Sequence, residues 1–169
     1  MNPLHSSFIE HQLSGRYICN THIEPLLSAY NTTVIGHSEA GLPIYRICVG
    51  AGKTKVLMWS QMHGNESTTT KSVFDLLRFL QSDKSLLETL QLSIIPILNP
   101  DGAKSYTRFN ANQVDLNRDA IDLSQVESRI LRKEFDEFSP DYAFNLHDQR
   151  TIFGVDTKPA TLSLLAPAL

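Results

Sequence analysis

The stretch "KVLMWSQMHGNESTTTKSVFDLLRFLQS", Lys55 to Ser82, changes character twice within 28 residues. "KVLMWSQ" is a short apolar run bounded by the turn-forming "GAGKT", as a buried strand should be. "STTTKSVFDLLRFLQS" then puts Val73, Leu76, Leu77 and Leu80 on one face, with Phe74 beside it. That spacing predicts an amphipathic helix, and the Ser/Thr cluster before it supplies caps. Between the two lies "HGNE", a histidine and a glutamate three residues apart. Six histidines and eight glutamates would produce about 0.3 such pairs by chance, so the spacing alone does not separate a metal site from an ordinary loop.

Strand-like and helix-like segments alternate outward from this point. "TTVIGHS" and "PIYRICVG" flank a turn-like "EAGL", which predicts a hairpin of Thr32–Ser38 with Pro43–Val49. "QLSIIPILNPDG" reads as a second buried strand with an irregularity at Pro96 and a turn over Asn99 to Gly102. "LSQVESRILRKEFDEF" repeats the helical pattern through Val126, Ile130, Leu131, Phe135 and Phe138. "DYAFNLH" predicts a fourth core strand ending at His147, and residues 6 to 30 read as one or two helices. Alternation of this kind predicts an α/β fold: three layers, with a mixed, largely parallel central sheet flanked by helices. Residues 1–31 would form a helical leading segment packed on the domain that spans 32–169.

Ligands of such sheets sit beyond the carboxyl ends of the strands. His63, Glu66, Asn99 and His147 all fall there, on one edge. A catalytic zinc takes three ligands of His, Asp or Glu type and leaves a fourth position open. His63 and Glu66 can aim at one ion and His147 can complete the set. Each is also compatible with a polar loop residue or a hydrogen-bonded strand end.

Composition narrows the classes. At 169 residues, 41% hydrophobic and 20% charged, the chain is long enough for one sizeable core. A net charge of −3 gives no electrostatic reason for nucleic acid or an anionic membrane as partner. No run approaches a membrane-spanning length. Cys19 and Cys48 make no disulfide framework and are expected as free thiols. The start "MNPLHSSFIEHQL" has no basic-then-apolar leader pattern, so a cytoplasmic location is the default expectation.

Taken in order, "HGNE", "NPDG", an arginine ahead of "DLNRD", and a strand ending in "NLH" resemble the zinc metallocarboxypeptidase family of carboxypeptidases A and B, in its bacterial and cytosolic branches. The resemblance covers the chain from about Thr32. It implies Zn2+ as cofactor, with His63, Glu66 and His147 as ligands. It implies that Arg108 stabilises the oxyanion, and that Asn117 and Arg118 hold the substrate's C-terminal carboxylate, for which a forked guanidinium is suited. Asp115 would accept the free ring N–H of His63 and fix its tautomer. The implied partner is a peptide or peptide-like amide with a free C-terminal carboxylate. A related chemistry, deacylation of N-acyl amino acids, shares "HGNE" and the Asn-Arg pair.

The pattern also breaks. The family's general base is a late-strand glutamate with a tyrosine near it, and no Glu or Tyr follows His147. The chain is therefore expected to be the N-terminal part of a catalytic domain, incomplete at its C-terminus; a non-catalytic zinc- and carboxylate-binding module is the alternative. Asp148 and Arg150 would lie near the mouth of the site. Asp101 and Gly102 are expected in a tight turn, and Arg46, Lys53 and Lys55 in solvent. His5, His11, His22 and His37 receive no role.

Overall fold

The computed structural model describes residues 7–148, together with the backbone of 153–155 and 158–160. Helix α1 (Asn20–Leu27) leads into a hairpin of β1 (Asn31–His37) and β2 (Pro43–Val49), followed by β3 (Thr54–Trp59). Then come helix α2 (Thr68–Ser82), β4 (Leu90–Ile95), the short helix α3 (Pro100–Ser105), helix α4 (Val126–Phe138) and β5 (Tyr142–Asn145). Two three-residue strands, β6 (Phe153–Val155) and β7 (Lys158–Ala160), form a separate antiparallel ladder.

The main sheet runs β1-β2-β4-β3-β5. The β1–β2 and β2–β4 pairs are antiparallel, whereas β4–β3 and β3–β5 are parallel. It is the expected mixed sheet: β1, β4, β3 and β5 run in one direction and β2 opposes them. Side chains alternate across the pleat, so each central strand feeds two cores. Ile47, Val56, Leu92 and Ile94 pack with α1 and α2, including Ile23, Val73, Phe74 and Leu77. Ile44, Ile95 and Trp59 face the other way, towards Leu116 and the half-buried Ile130 and Leu131 of α4. The three expected layers are present.

Several expectations are corrected. Of the described part of residues 6–30, only Asn20–Leu27 is helical; residues 7–19 turn and bend against α2, where Glu10 pairs with Arg78 at 3.3 Å. Asp101 and Gly102 belong to α3, not to a tight turn: Asn99 Oδ1 accepts the Gly102 N–H at 2.8 Å as an N-cap, and Pro100 follows at the first helical position. Asp101 instead accepts hydrogen bonds from Ser38 Oγ and the Ala40 N–H, tying α3 to the hairpin. Arg46 is not simply solvated. Its Nη1 lies 3.0 Å from Glu134 Oε2, and the buried Glu134 also accepts from Ser93 Oγ. Lys55 Nζ donates to the Phe138 carbonyl and lies over the Phe138 ring.

The inward face of α4 differs as well. Glu127, Ser128 and Glu134 are buried, whereas Phe135 is 42% exposed. β5 is an exposed edge strand that stops at Asn145, with Tyr142 60% and Phe144 48% accessible. Arg150 lies outside the described residues.

Phe74 is fully buried at the centre of the α2 core. Replacing it with alanine should cost about 3–5 kcal/mol of unfolding free energy, read from urea denaturation. A loss below about 1 kcal/mol would contradict this packing.

Candidate metal centre

Because β3, β4 and β5 are mutually parallel, their carboxyl ends lie on one side of the sheet. β3 leaves Trp59 and reaches α2 through Ser60–Ser67, which contains His63 and Glu66. β5 continues through Leu146, whose N–H donates to the Trp59 carbonyl, and delivers His147 beside them. The turn between is tight for a specific reason. A Cβ on Gly64 would stand 1.9 Å from the Gly102 carbonyl carbon, so the turn rests directly on the backbone of α3. Asn99 Nδ2 donates to the Met62 carbonyl, immediately before His63.

Glu66 is clasped between the two imidazoles. His63 Nδ1 lies 2.9 Å from Glu66 Oε1, and His147 Nδ1 lies 3.0 Å from Oε2. The rings stand 4.9 Å apart, and one ligand atom from each of the three residues falls within 4.8 Å of the others. On its far side, His63 Nε2 lies 2.9 Å from Asp115 Oδ1. A neutral ring carries one N–H, so with that proton on Nε2, towards Asp115, the Nδ1 lone pair faces a carboxylate oxygen. Two acceptors at such a distance require a proton or a cation between them. Two imidazole nitrogens and a carboxylate, with the outer nitrogen held by a second carboxylate, are the donor types a zinc ion takes. The residues therefore fit the group.

Arg108 joins the cluster. Its Nε donates to Asp115 Oδ2 at 3.0 Å, and Nη1 lies 3.4 Å from Glu66 Oε1. Burial pushes the Glu66 carboxyl up, but hydrogen bonds from His147 and His63, the His63 charge and the Asp148 N–H outweigh it and hold the group at about 2. Asp115 is likewise held low against its own burial, by His63, Arg108 and the Asn117 N–H.

Asn117 and Arg118 lie in the following turn, which Asp115 organises by accepting the Asn117 N–H. Asp115 thus makes a local turn. Among the described residues, neither the Asn117 nor the Arg118 side chain makes a hydrogen bond or ion pair, and Arg118 is exposed. Asp148 is aimed away from base chemistry: its N–H donates to Glu66 Oε2, and its carboxylate accepts the Thr68 N–H at the start of α2. His22 pairs with Cys19 at the α1 N-terminus, far along the chain from the cluster, and both cysteines are free thiols.

Sequence reasoning missed two participants. Asp119 is buried and accepts from the Ser124 N–H and hydroxyl and from the Gln125 N–H, closing the loop behind Arg118. Gln61 is fully buried below the metal turn with φ of 44°. Neither residue sits in a recognisable motif, and only the unusual backbone of Gln61 gives a local signal.

Residues 25–149 match the family model described as "Zinc carboxypeptidase". The chain belongs to the zinc carboxypeptidase family. Carboxypeptidase 2 of Trichophyton tonsurans is 34% identical over 100 residues, covering 56% of this chain and 19% of that protein. A metallo-carboxypeptidase structure from Burkholderia cenocepacia superposes with a TM-score of 0.70 at 24% identity, over 76% of this chain and 40% of that one. A metallo-carboxypeptidase from Pseudomonas aeruginosa, in complex with (2-guanidinoethylmercapto)succinic acid, gives a TM-score of 0.64 at 22% identity, over 75% and 38%. The chain thus spans about a fifth of the curated relative and about two fifths of the structural neighbours.

Two outcomes follow. Gly64→Ala should abolish zinc binding in equilibrium dialysis, because the turn must lift off α3; unchanged stoichiometry would contradict the close approach. Asp119 is pushed up by burial but held at about 2 by the Ser124 and Gln125 hydrogen bonds. A lowered folded value stabilises above the unfolded carboxylate value, about 3.9, and is lost as pH falls through about 2. Asp119→Asn should therefore cost about 1 kcal/mol at pH 7, and its unfolding curve should converge on that of the parent near pH 2.

Proposed function

We propose that this chain carries the metal- and carboxylate-binding part of a zinc-dependent hydrolase that removes a C-terminal residue from a peptide or peptide-like amide. The observation supporting it most strongly is the Glu66 carboxylate held between His63 Nδ1 and His147 Nδ1, with His63 Nε2 on Asp115. In this reading His63, Glu66 and His147 hold the ion, and Asp115 keeps the His63 ring in the tautomer that presents Nδ1. Zinc, when bound, supplies a Lewis acid that polarises a carbonyl and acidifies water.

The remaining roles fall to side chains around that position. Arg108 is fixed from behind by Asp115 and lies against Glu66, so its positive charge is preorganised where an oxyanion would develop. Asn117 and Arg118, uncommitted in the fold, receive the terminal carboxylate; the fork of Arg118 matches it bidentately. No described acid takes the general-base role: Glu66 and Asp115 face imidazoles, and the Asp148 carboxylate caps α2. Binding therefore tests the reading more sharply than turnover.

With zinc added, a short peptide with a free C-terminal carboxylate should bind at least about tenfold more tightly than its C-terminal amide by calorimetry. Arg118→Ala should erase that difference while leaving zinc stoichiometry intact. Equal affinity for acid and amide would overturn the exopeptidase reading. Preference for an N-acyl amino acid over every peptide would move the chain to deacylase chemistry.

A further inference from the structure

The metal turn is fastened to a part of the chain that lies outside the family match. Three residues of the leading segment, Gly15, Arg16 and Ile18, present backbone carbonyls to the turn and to the α2 helix that follows it. Gly15 O accepts from Lys71 Nζ at 2.8 Å, Arg16 O from Ser67 Oγ, and Ile18 O from Gln61 Nε2 at 3.0 Å. Gln61 and Ser67 bracket "HGNE", one two residues before His63 and the other immediately after Glu66. The matched region begins at residue 25, so these acceptors belong to a segment the family pattern does not include.

Gln61 is the hub. Its second amide hydrogen goes to the Gly64 carbonyl at 2.7 Å, inside the turn itself. Its Oε1 accepts from Thr70 Oγ1 at 2.6 Å, in the first turn of α2, and its own carbonyl accepts the Asn99 N–H. One fully buried amide therefore joins the leading segment, the ligand turn and the helix that follows Glu66. A non-glycine residue at φ 44° is costly, of order 1–3 kcal/mol, and persists only where surrounding contacts over-determine it. Here those contacts are side-chain hydrogen bonds of the same residue.

We propose that Gln61 is a positioning residue for the metal site, coupling the leading segment Gly15–Ile18 to the His63–Glu66 turn, so that the segment sets the geometry of two ligands without touching the ion. This rests on the metal-centre reading above. The two can be tested separately with the full chain. Gln61→Met keeps length and apolar volume but removes all three side-chain hydrogen bonds. Zinc affinity, measured by competition with a chromophoric chelator, should fall about 10- to 100-fold, the range typical when support of a ligand is lost. Ser67→Ala should weaken binding in the same direction. Leu77→Ala is a core control, since it destabilises the fold away from the turn; its zinc affinity should stay within about threefold of the parent. Gln61→Met binding zinc as the parent does would overturn the coupling, as would loss of affinity in Leu77→Ala matching that in Gln61→Met. If Gln61→Met fails to fold by circular dichroism, Ser67→Ala decides by the same criterion. A parent chain that holds no zinc overturns the metal centre itself, and this inference with it.

Discussion

The arrangement depends on a carboxylate that faces two imidazole nitrogens at once. His63 meets a carboxylate oxygen at each ring nitrogen, Glu66 Oε1 and Asp115 Oδ1, both at 2.9 Å. A neutral ring has one N–H, so a further proton or a cation must lie at one of the two contacts. Everything near it serves that contact. The parallel trio β4–β3–β5 brings two chain segments separated by about eighty residues to the same edge. Gly64 lets the first segment settle on α3, and Asp115 holds the outer nitrogen of the His63 ring at 2.9 Å. Arg108 then balances the two carboxylates from outside.

The sequence was most legible where one local period ruled. α2 and the hairpin appear within a residue of expectation, because Val73, Leu77 and Leu80 recur at helical spacing and "EAGL" carries the glycine its turn needs at φ 82°. The meeting of His63, Glu66 and His147 was legible only through the order of motifs, since no short-range rule says that residues 63 and 147 meet. The leading segment was legible only where Ile23, Leu26 and Leu27 recur at helical spacing; Leu13 and Ile18 are buried by tertiary packing in irregular backbone, which leaves no period to read. "NPDG" was read as a turn because Asp-Gly favours one; a proline at the first position and an asparagine cap make the same four residues a helix start. Glu134 and Arg46 were invisible to pattern reasoning because a buried ion pair leaves no periodic trace.

One flank of the fold is less finished than the other. A hollow of about 220 Å3 lies between Trp59, Met62, Leu116, Leu123, Leu131 and Phe135, and β5 leaves Tyr142 and Phe144 in solvent. The opposite core, under α1 and α2, is closed by Phe74 and its neighbours. The site grows from the closed side: His63, Glu66 and their supports all attach to α2, α3 and the leading segment. His147, which comes from the open flank, is the most exposed of the three clustered side chains at 36%.

X-ray absorption at the zinc edge of the chain loaded with one equivalent of metal tests the convergence most directly. The account predicts a four-coordinate shell of nitrogen and oxygen near 2.0–2.1 Å, with the outer-shell signature of two imidazoles that drops to one in His147→Ala. A sulfur shell near 2.3 Å, reporting Cys19 or Cys48, or an imidazole signature unchanged in that variant, would contradict it.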